Sequence, residues 1–252
     1  MTDLLYGKLA VVGCGLIGSS IARAARARGL ADAIAVADPS ALVRERAAAL
    51  GLADLITADP GEAVEGADLI VFAAPPLAIG PAAAAAAHRL KPGATVTDVG
   101  SVKAAVAEAF ARVVPPAVFA IPGHPIAGSE ESGPDAGYAG MFEGRWTILT
   151  PQARRDPPYL EAVDRLTAFW VALGAQVELM DERHHDLVLA VTSHLPHLIA
   201  YNIVGTAADL EEVTRGEVIK YSAGGFRDFT RIAASDPIMW RDVFLANKDA
   251  VL

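Results

Sequence analysis

Short, near-continuous apolar runs recur along the first half of the chain, at 8–12, 33–37 and 69–73, and further strand-like stretches lie at 95–99 and 118–121. The apolar runs are too short for an amphipathic helix and lack the alternation of a half-solvated strand, so they predict strands buried on both faces. A minimal run at 55–56 adds a short strand to the set. Between them lie Ala-rich stretches that predict helices: one from the glycine-rich turn to about residue 28, then 40–50, 81–90 and 103–113. Strands alternating with helices imply a doubly wound parallel sheet. The pattern then changes. Residues 146–149 and 176–180 read as added strands around a helix over 159–173, and beyond 181 only helical stretches remain, with polar interruptions near 211–217 and 222–225. The expected architecture is an α/β domain over 1–180 followed by a smaller all-helical domain over 181–252.

Composition narrows the class. With 252 residues, 53% hydrophobic and 20% charged, the chain can bury a core and is not intrinsically disordered. Its net charge of 21 − 30 = −9, with no basic cluster longer than a pair, argues against a nucleic-acid partner. Residues 69–87 are uncharged and nearly long enough to span a bilayer, but Pro75-Pro76 and Gly80-Pro81 interrupt them. They read as strand, loop and helix start, and no membrane association is expected. One cysteine, Cys14, and an acidic start at Met1-Thr2-Asp3 without a targeting pattern fit a cytoplasmic protein.

The first turn carries a cofactor signature. Gly13-Cys14-Gly15-Leu16-Ile17-Gly18 fits G-x-G-x-x-G, with a strand before it and a helix after it. Asp38 ends the next strand, and 38 − 18 = 20 matches the spacing at which an acidic side chain meets an adenosine ribose. Its charge would repel a 2′-phosphate, so NAD is expected over NADP, although Arg44 nearby leaves NADP open. The bland alternative is a plain strand-to-helix turn with a capping Asp. Cys14 reads as a small filler in this loop.

Two loops beyond strand ends carry further chemistry: Gly100-Ser101-Val102-Lys103 and the stretch 122–130 around His124 and Glu130. A third segment, 224–231, contains Asp228 and Arg231. A hydride acceptor, a proton-accepting histidine and an arginine for a carboxylate suggest oxidation of a hydroxylated acid. Each residue also has an ordinary reading. His124 can cap a turn, Ser101 can N-cap the helix over 103–113, and Arg231 can be a surface ion-pair residue. His194 and His197, three apart on a helix, with His184, His185 and Asp186 nearby, raise a zinc site; H-E-x-x-H spacing is absent and no cysteine can join, so no metal is expected.

Taken in order, GCGLIG at 13–18, DVGSVK at 98–103, GHPIAGSE at 123–130, SHLPH at 193–197 and GGFRDFTRIAASDPIMW at 224–240 resemble the prephenate/arogenate (cyclohexadienyl) dehydrogenases of tyrosine biosynthesis. The resemblance implies a Rossmann domain, a helical dimerisation domain and a homodimer. It implies oxidative decarboxylation of prephenate or arogenate: NAD⁺ takes hydride from the hydroxyl-bearing ring carbon, the ring carboxylate leaves as CO₂, and the ring becomes aromatic. By motif match, His124 draws off the 4-hydroxyl proton with Ser101 as its partner. Arg231 grips a substrate carboxylate, His197 shares its pocket, and Glu130, Asp228 and Trp240 line the surroundings. Gly13, Gly15, Leu16, Ile17, Gly18, Asp38, Pro75 and Ser101 make up the expected cofactor set. Members usually continue for another helical stretch, so this chain is expected to end early. Two rivals remain: a β-hydroxyacid or imine reductase of the same fold, which would carry a lysine where Ser193-His194-Leu195-Pro196-His197 stands, and a protein that senses NAD without turnover.

Overall fold

The computed structural model describes residues 4–214, 217–221 and 223–252. Residues 215, 216 and 222, inside the two predicted polar interruptions, lie outside the described residues. Six parallel strands form the main sheet: β1 (Tyr6–Val12), β2 (Ala31–Ala37), β3 (Leu55–Thr57), β4 (Leu69–Phe72), β5 (Thr95–Asp98) and β6 (Phe119–Ala120), ordered β3-β2-β1-β4-β5-β6. The order reverses between β1 and β4, which opens a crevice at their carboxyl ends. Alternate residues of β1 feed two cores. Leu9 and Val11 face helices α1 (Leu16–Arg28) and, later in the chain, α6 (Pro157–Ala172). Ala10 and Val12 face α3 (Pro60–Val64), α4 (Pro76–Ala86) and α5 (Ala104–Val113), while α2 (Ala41–Ala49) flanks β3. Burial on both faces explains the near-continuous apolar runs.

Two expectations need correction. The helix expected from Pro81 begins at Pro76, because Pro75 and Pro76 occupy the N-cap and first position, where a missing N–H costs nothing. Pro81 lies inside α4 and removes one helical hydrogen bond. Second, the later strands do not extend the main sheet. β8 (Trp146–Leu149) and β9 (Gln176–Leu179) join β7 (Gly123–Pro125), which lies within an expected loop, in a separate sheet ordered β7-β8-β9. Pro122 turns the chain away from β6, and β7 then pairs antiparallel with β8, His124 opposite Ile148.

The rest is helical among the described residues: α7 (Glu182–Leu189), a π-turn (Ala190–His194), α8 (Leu195–Thr214), α9 (Glu217–Lys220), α10 (Gly224–Thr230), a 3₁₀ turn (Arg231–Ala234), α11 (Pro237–Ala246) and α12 (Lys248–Val251). The stretch Glu182–Leu210 is long and apolar enough to cross a membrane. It also carries His185, Asp186 and His194 buried against protein, the placement of a helix packed in a folded domain. Its other side bears exposed Leu187, Val191, Leu195, Ile199 and Ile203, spaced four apart in a stripe.

Candidate active site

The glycine loop is shaped by close backbone contacts. Gly13 sits at φ 101°, and a Cβ there would lie 2.3 Å from the Ala73 carbonyl oxygen. A Cβ on Gly18 would lie 2.0 Å from the Gly13 carbonyl oxygen. Gly13 therefore lets the turn close against the chain leaving β4, Gly18 lets α1 close on the turn, and neither lines the cleft. Gly15 meets nothing within 4 Å. It is the N-cap of a 13-residue helix with no side-chain cap, so the first N–H groups of α1 remain available to an anion. That open, uncapped terminus fits a pyrophosphate. Burial pushes the Cys14 thiol up to about 12, which makes it a packing residue.

Asp38 borders the loop. One carboxylate oxygen accepts from the Cys14 N–H at 2.9 Å and the other from the Ser40 N–H at 2.9 Å. Each oxygen keeps a further lone pair for a ribose hydroxyl. Arg44 donates to the carbonyls of Asp38 and Pro39 at 2.8 and 2.9 Å, which holds its guanidinium beside the end of β2.

A cleft of about 790 Å³ runs from this loop to the helical half. Gly15, Leu16, Ile17, Pro75, Ser101 and His124 line its sheet side, with Glu130 at the loop that follows β7. His197, Arg231 and Trp240 line the helical side. Asp228 is exposed on α10 and does not line the cleft. Thus ten of the predicted residues share one cleft, Asp38 stands at its approach, and Asp228 stands outside.

Ser101 and His124 are held together by residues that sequence reasoning left unassigned. Asp98 ends β5, and one of its carboxylate oxygens accepts from Gly123 N–H at 3.1 Å. The other accepts from Gly100 N–H at 2.7 Å and from the Lys103 ammonium. Lys103 also donates to the Gly123 carbonyl at 2.7 Å. This ion pair is fully buried, where burial pushes Asp98 up and Lys103 down while their mutual attraction opposes both shifts. It clamps both polar groups of Gly123, the residue before His124. Ser101 is not the N-cap of α5, as sequence reasoning allowed. That position belongs to Lys103, and the Asp186 carboxylate reaches across from α7 to accept from the N–H groups of Lys103 and Ala104 at 2.7 and 2.9 Å.

His124 is 8% exposed, and its Nδ1 lies 2.9 Å from His185 Nε2. Burial, with His185, Lys103 and His194 nearby, holds it well below the ordinary 6.5. His194 and His197 diverge after the π-turn. His194 is fully buried against Asn247 at 3.0 Å, with its pKa pushed down to about 4, chiefly by burial. His197 donates from Nδ1 to the Ser193 carbonyl at 2.8 Å and stacks on Trp240 at 3.6 Å, leaving Nε2 as an acceptor. The Arg231 side chain is 64% exposed and stands 3.9 Å from Glu130.

The prephenate dehydrogenase nucleotide-binding domain profile matches residues 21–179, and the dimerization domain profile of the same family matches 181–252. A cyclohexadienyl dehydrogenase from Zymomonas mobilis is 42% identical over 248 residues, covering 98% of this chain and 83% of that protein. The crystal structure of Aquifex aeolicus prephenate dehydrogenase with hydroxyphenyl propionate and NAD⁺ superposes with a TM-score of 0.87 at 35% identity, covering 100% of this chain and 85% of the other. Arogenate dehydrogenase from Synechocystis superposes with a TM-score of 0.78 at 29% identity, covering 97% and 85%.

Proposed function

The chain belongs to the prephenate dehydrogenase family, and on that footing we propose that it oxidises prephenate, arogenate or both, yielding 4-hydroxyphenylpyruvate or tyrosine with loss of CO₂. The observation that carries this reading is the placement of His124 in one cleft with the uncapped glycine loop, Ser101 and Arg231. When bound, NAD⁺ supplies the acceptor for the hydride leaving the hydroxyl-bearing ring carbon. Loss of that hydride leaves a developing carbonyl, so His124 takes the hydroxyl proton on Nε2. Ser101 hydrogen-bonds the same hydroxyl. Arg231 holds a substrate carboxylate through its planar fork, and His197, fixed by Ser193 and Trp240, offers its Nε2 beside it. Glu130 stands at the rim of the cleft, and Asp228 takes no part in it. The reductase and NAD-sensor alternatives do not call for His124, Ser101, His197 and Arg231 together.

Steady-state rates with both substrates and both cofactors test the reading. Reduction of NAD by at least one substrate is expected; no reduction of either cofactor by either substrate would overturn it. Asp38→Ser removes a charged acceptor worth roughly 1.5 kcal/mol, so NAD should bind about ten-fold more weakly while the gap to NADP narrows. Equal use of NAD and NADP by the unaltered enzyme would refute the role given to Asp38.

We set the division between the two domains near residue 180, where β9 has ended and α7 has not begun. The exposed stripe Leu187, Val191, Leu195, Ile199 and Ile203 supports a homodimer built through the helical half, since apolar strips of this kind normally mark an interface. Light scattering at micromolar concentration should give twice the chain mass of 26.2 kDa. A monomer would count against the dimer. A chain with a single cysteine, Cys14, which can form no internal disulfide, is compatible with a cytoplasmic location.

A further inference from the structure

The buried side of His124 meets a chain of groups whose proton positions are all determined. Asp186 starts it. Its carboxylate receives two backbone N–H groups, from Lys103 and Ala104, and the Nδ1 of His185 at 2.8 Å. An oxygen pair that accepts two fixed N–H donors serves as acceptor, so the third contact must also be a donor: His185 carries its proton on Nδ1. Burial lowers the proton affinity of His185, which keeps it neutral with a bare Nε2. That lone pair lies 2.9 Å from His124 Nδ1, so His124 must donate there. A neutral imidazole has one proton. Spending it on Nδ1 leaves Nε2 unprotonated and open to the cleft.

We propose that His185 and Asp186 are positioning residues that preset the His124 tautomer, fixing the base in its accepting form before substrate binds. The proposal deepens the reading of His124 as proton acceptor and rests on it. Without this chain the two neutral tautomers of imidazole are close in energy, and the Nε2–H form presents a donor where an acceptor is needed. The chain also locks the ring plane, since His124 is gripped at Nδ1 on one side and through Gly123 by Asp98 and Lys103 on the other. The helical half holds Asp186 in turn: Asn247 donates to its backbone carbonyl at 2.8 Å and contacts His194. The two domains therefore share one assembly, with the base on β7 and its orienting groups on α7. The titratable groups facing His124 and His185 are Asp98 and Lys103 from the sheet side, and Asp186 and His194 from the helical side.

Nitrogen-15 NMR of histidine-labelled protein reads the tautomer directly and without turnover. His124 should be protonated at Nδ1 and bare at Nε2, with His185 the same. In His185→Leu the His124 signals should move toward the Nε2–H form. Its kcat should fall about 10- to 100-fold, the span for removing a hydrogen-bonded partner that orients an imidazole, while KM and NAD affinity stay within about two-fold. His185→Gln keeps an acceptor oxygen near the lost Nε2 and should recover most of kcat. A purely structural histidine would instead lower stability and raise KM, with no rescue by Gln. An Nε2–H tautomer in the unaltered protein, or unchanged kcat and His124 signals in His185→Leu, would overturn the proposal. The unaltered protein's tautomer decides even if the Leu variant does not fold. Failure of the catalytic reading appears separately, as absent turnover in the unaltered enzyme with its tautomer intact.

Discussion

Replacing His124 with Asn should lower kcat by about 10²–10⁴, the usual span for a positioned acid–base group, while substrate and NAD still bind. Asn fills a similar volume and can donate or accept one hydrogen bond, but it has no nitrogen that takes up a proton. Binding should survive because Arg231 and the glycine loop lie on other parts of the cleft. The pH dependence follows from burial. An ordinary histidine titrates near ~6.5, and by sequence alone activity would be expected to fall below that value. In the folded protein burial and three cationic or titratable neighbours depress the proton affinity of His124. The neutral, accepting form therefore persists as pH falls through 6.5, and the acid limb of kcat/KM should lie below 6.5. A limb at or above 6.5, or an Asn variant with full kcat and an unaltered profile, would mean that His124 is a strand residue and another base operates. Ser101→Ala should be milder, because the serine orients the hydroxyl without taking its proton.

The parts of the site that could be read from the chain are those carried by local pattern. The glycine loop announces itself through contiguous residues, and Asp38 through its fixed interval after Gly18, because both belong to one βαβ unit whose length is set by a helix crossing a sheet. Ser101, His124, Arg231 and His197 stand out as chemistry-bearing side chains among glycines and prolines. What the chain hides are the groups that hold them. Strand β7 is three residues long, and its pairing with Ile148 spans 24 residues, so no local periodicity marks it. His185 reaches His124 across 61 positions and Asp186 reaches Lys103 across 83. In the sequence these residues suggested only a metal cluster, because a histidine pair beside an aspartate reads alike whether it binds an ion or another imidazole. Lys103 was visible in the motif at 98–103, yet nothing local signals that its ammonium is turned inward to Asp98 and Gly123. The early start of α4 is a different kind of miss. Pro75-Pro76 breaks an apolar run and so looks like an interruption, whereas at a helix N-terminus the same pair is a start signal.

Arg231→Lys should raise KM for the substrate and lower kcat/KM by about 10- to 150-fold, equivalent to roughly 1.5–3 kcal/mol for a hydrogen bond between charged groups. Lysine keeps the charge but loses the planar fork that meets both oxygens of a carboxylate. The free-state geometry leaves that fork available. The Arg231 side chain is 64% exposed, and its ionic neighbour Glu130 is half exposed at 3.9 Å, a pair of the kind that contributes little to stability. Folding should therefore be almost indifferent to the change, and the melting temperature should hold. The position also separates substrate from cofactor. Arg231 lies in the 3₁₀ turn after α10, on the helical wall of the cleft, whereas the N–H groups suited to a pyrophosphate lie at α1 on the sheet wall. NAD affinity, measured by fluorescence titration, should stay within about two-fold if the only interaction lost is the one to the substrate carboxylate. Arg231→Ala, which removes charge and fork together, should fall further than Lys in kcat/KM and leave the His124 pH limb where it is. Unchanged KM in both variants would make Arg231 a surface residue, and a parallel loss of NAD affinity would show that it acts on cleft closure rather than on the carboxylate.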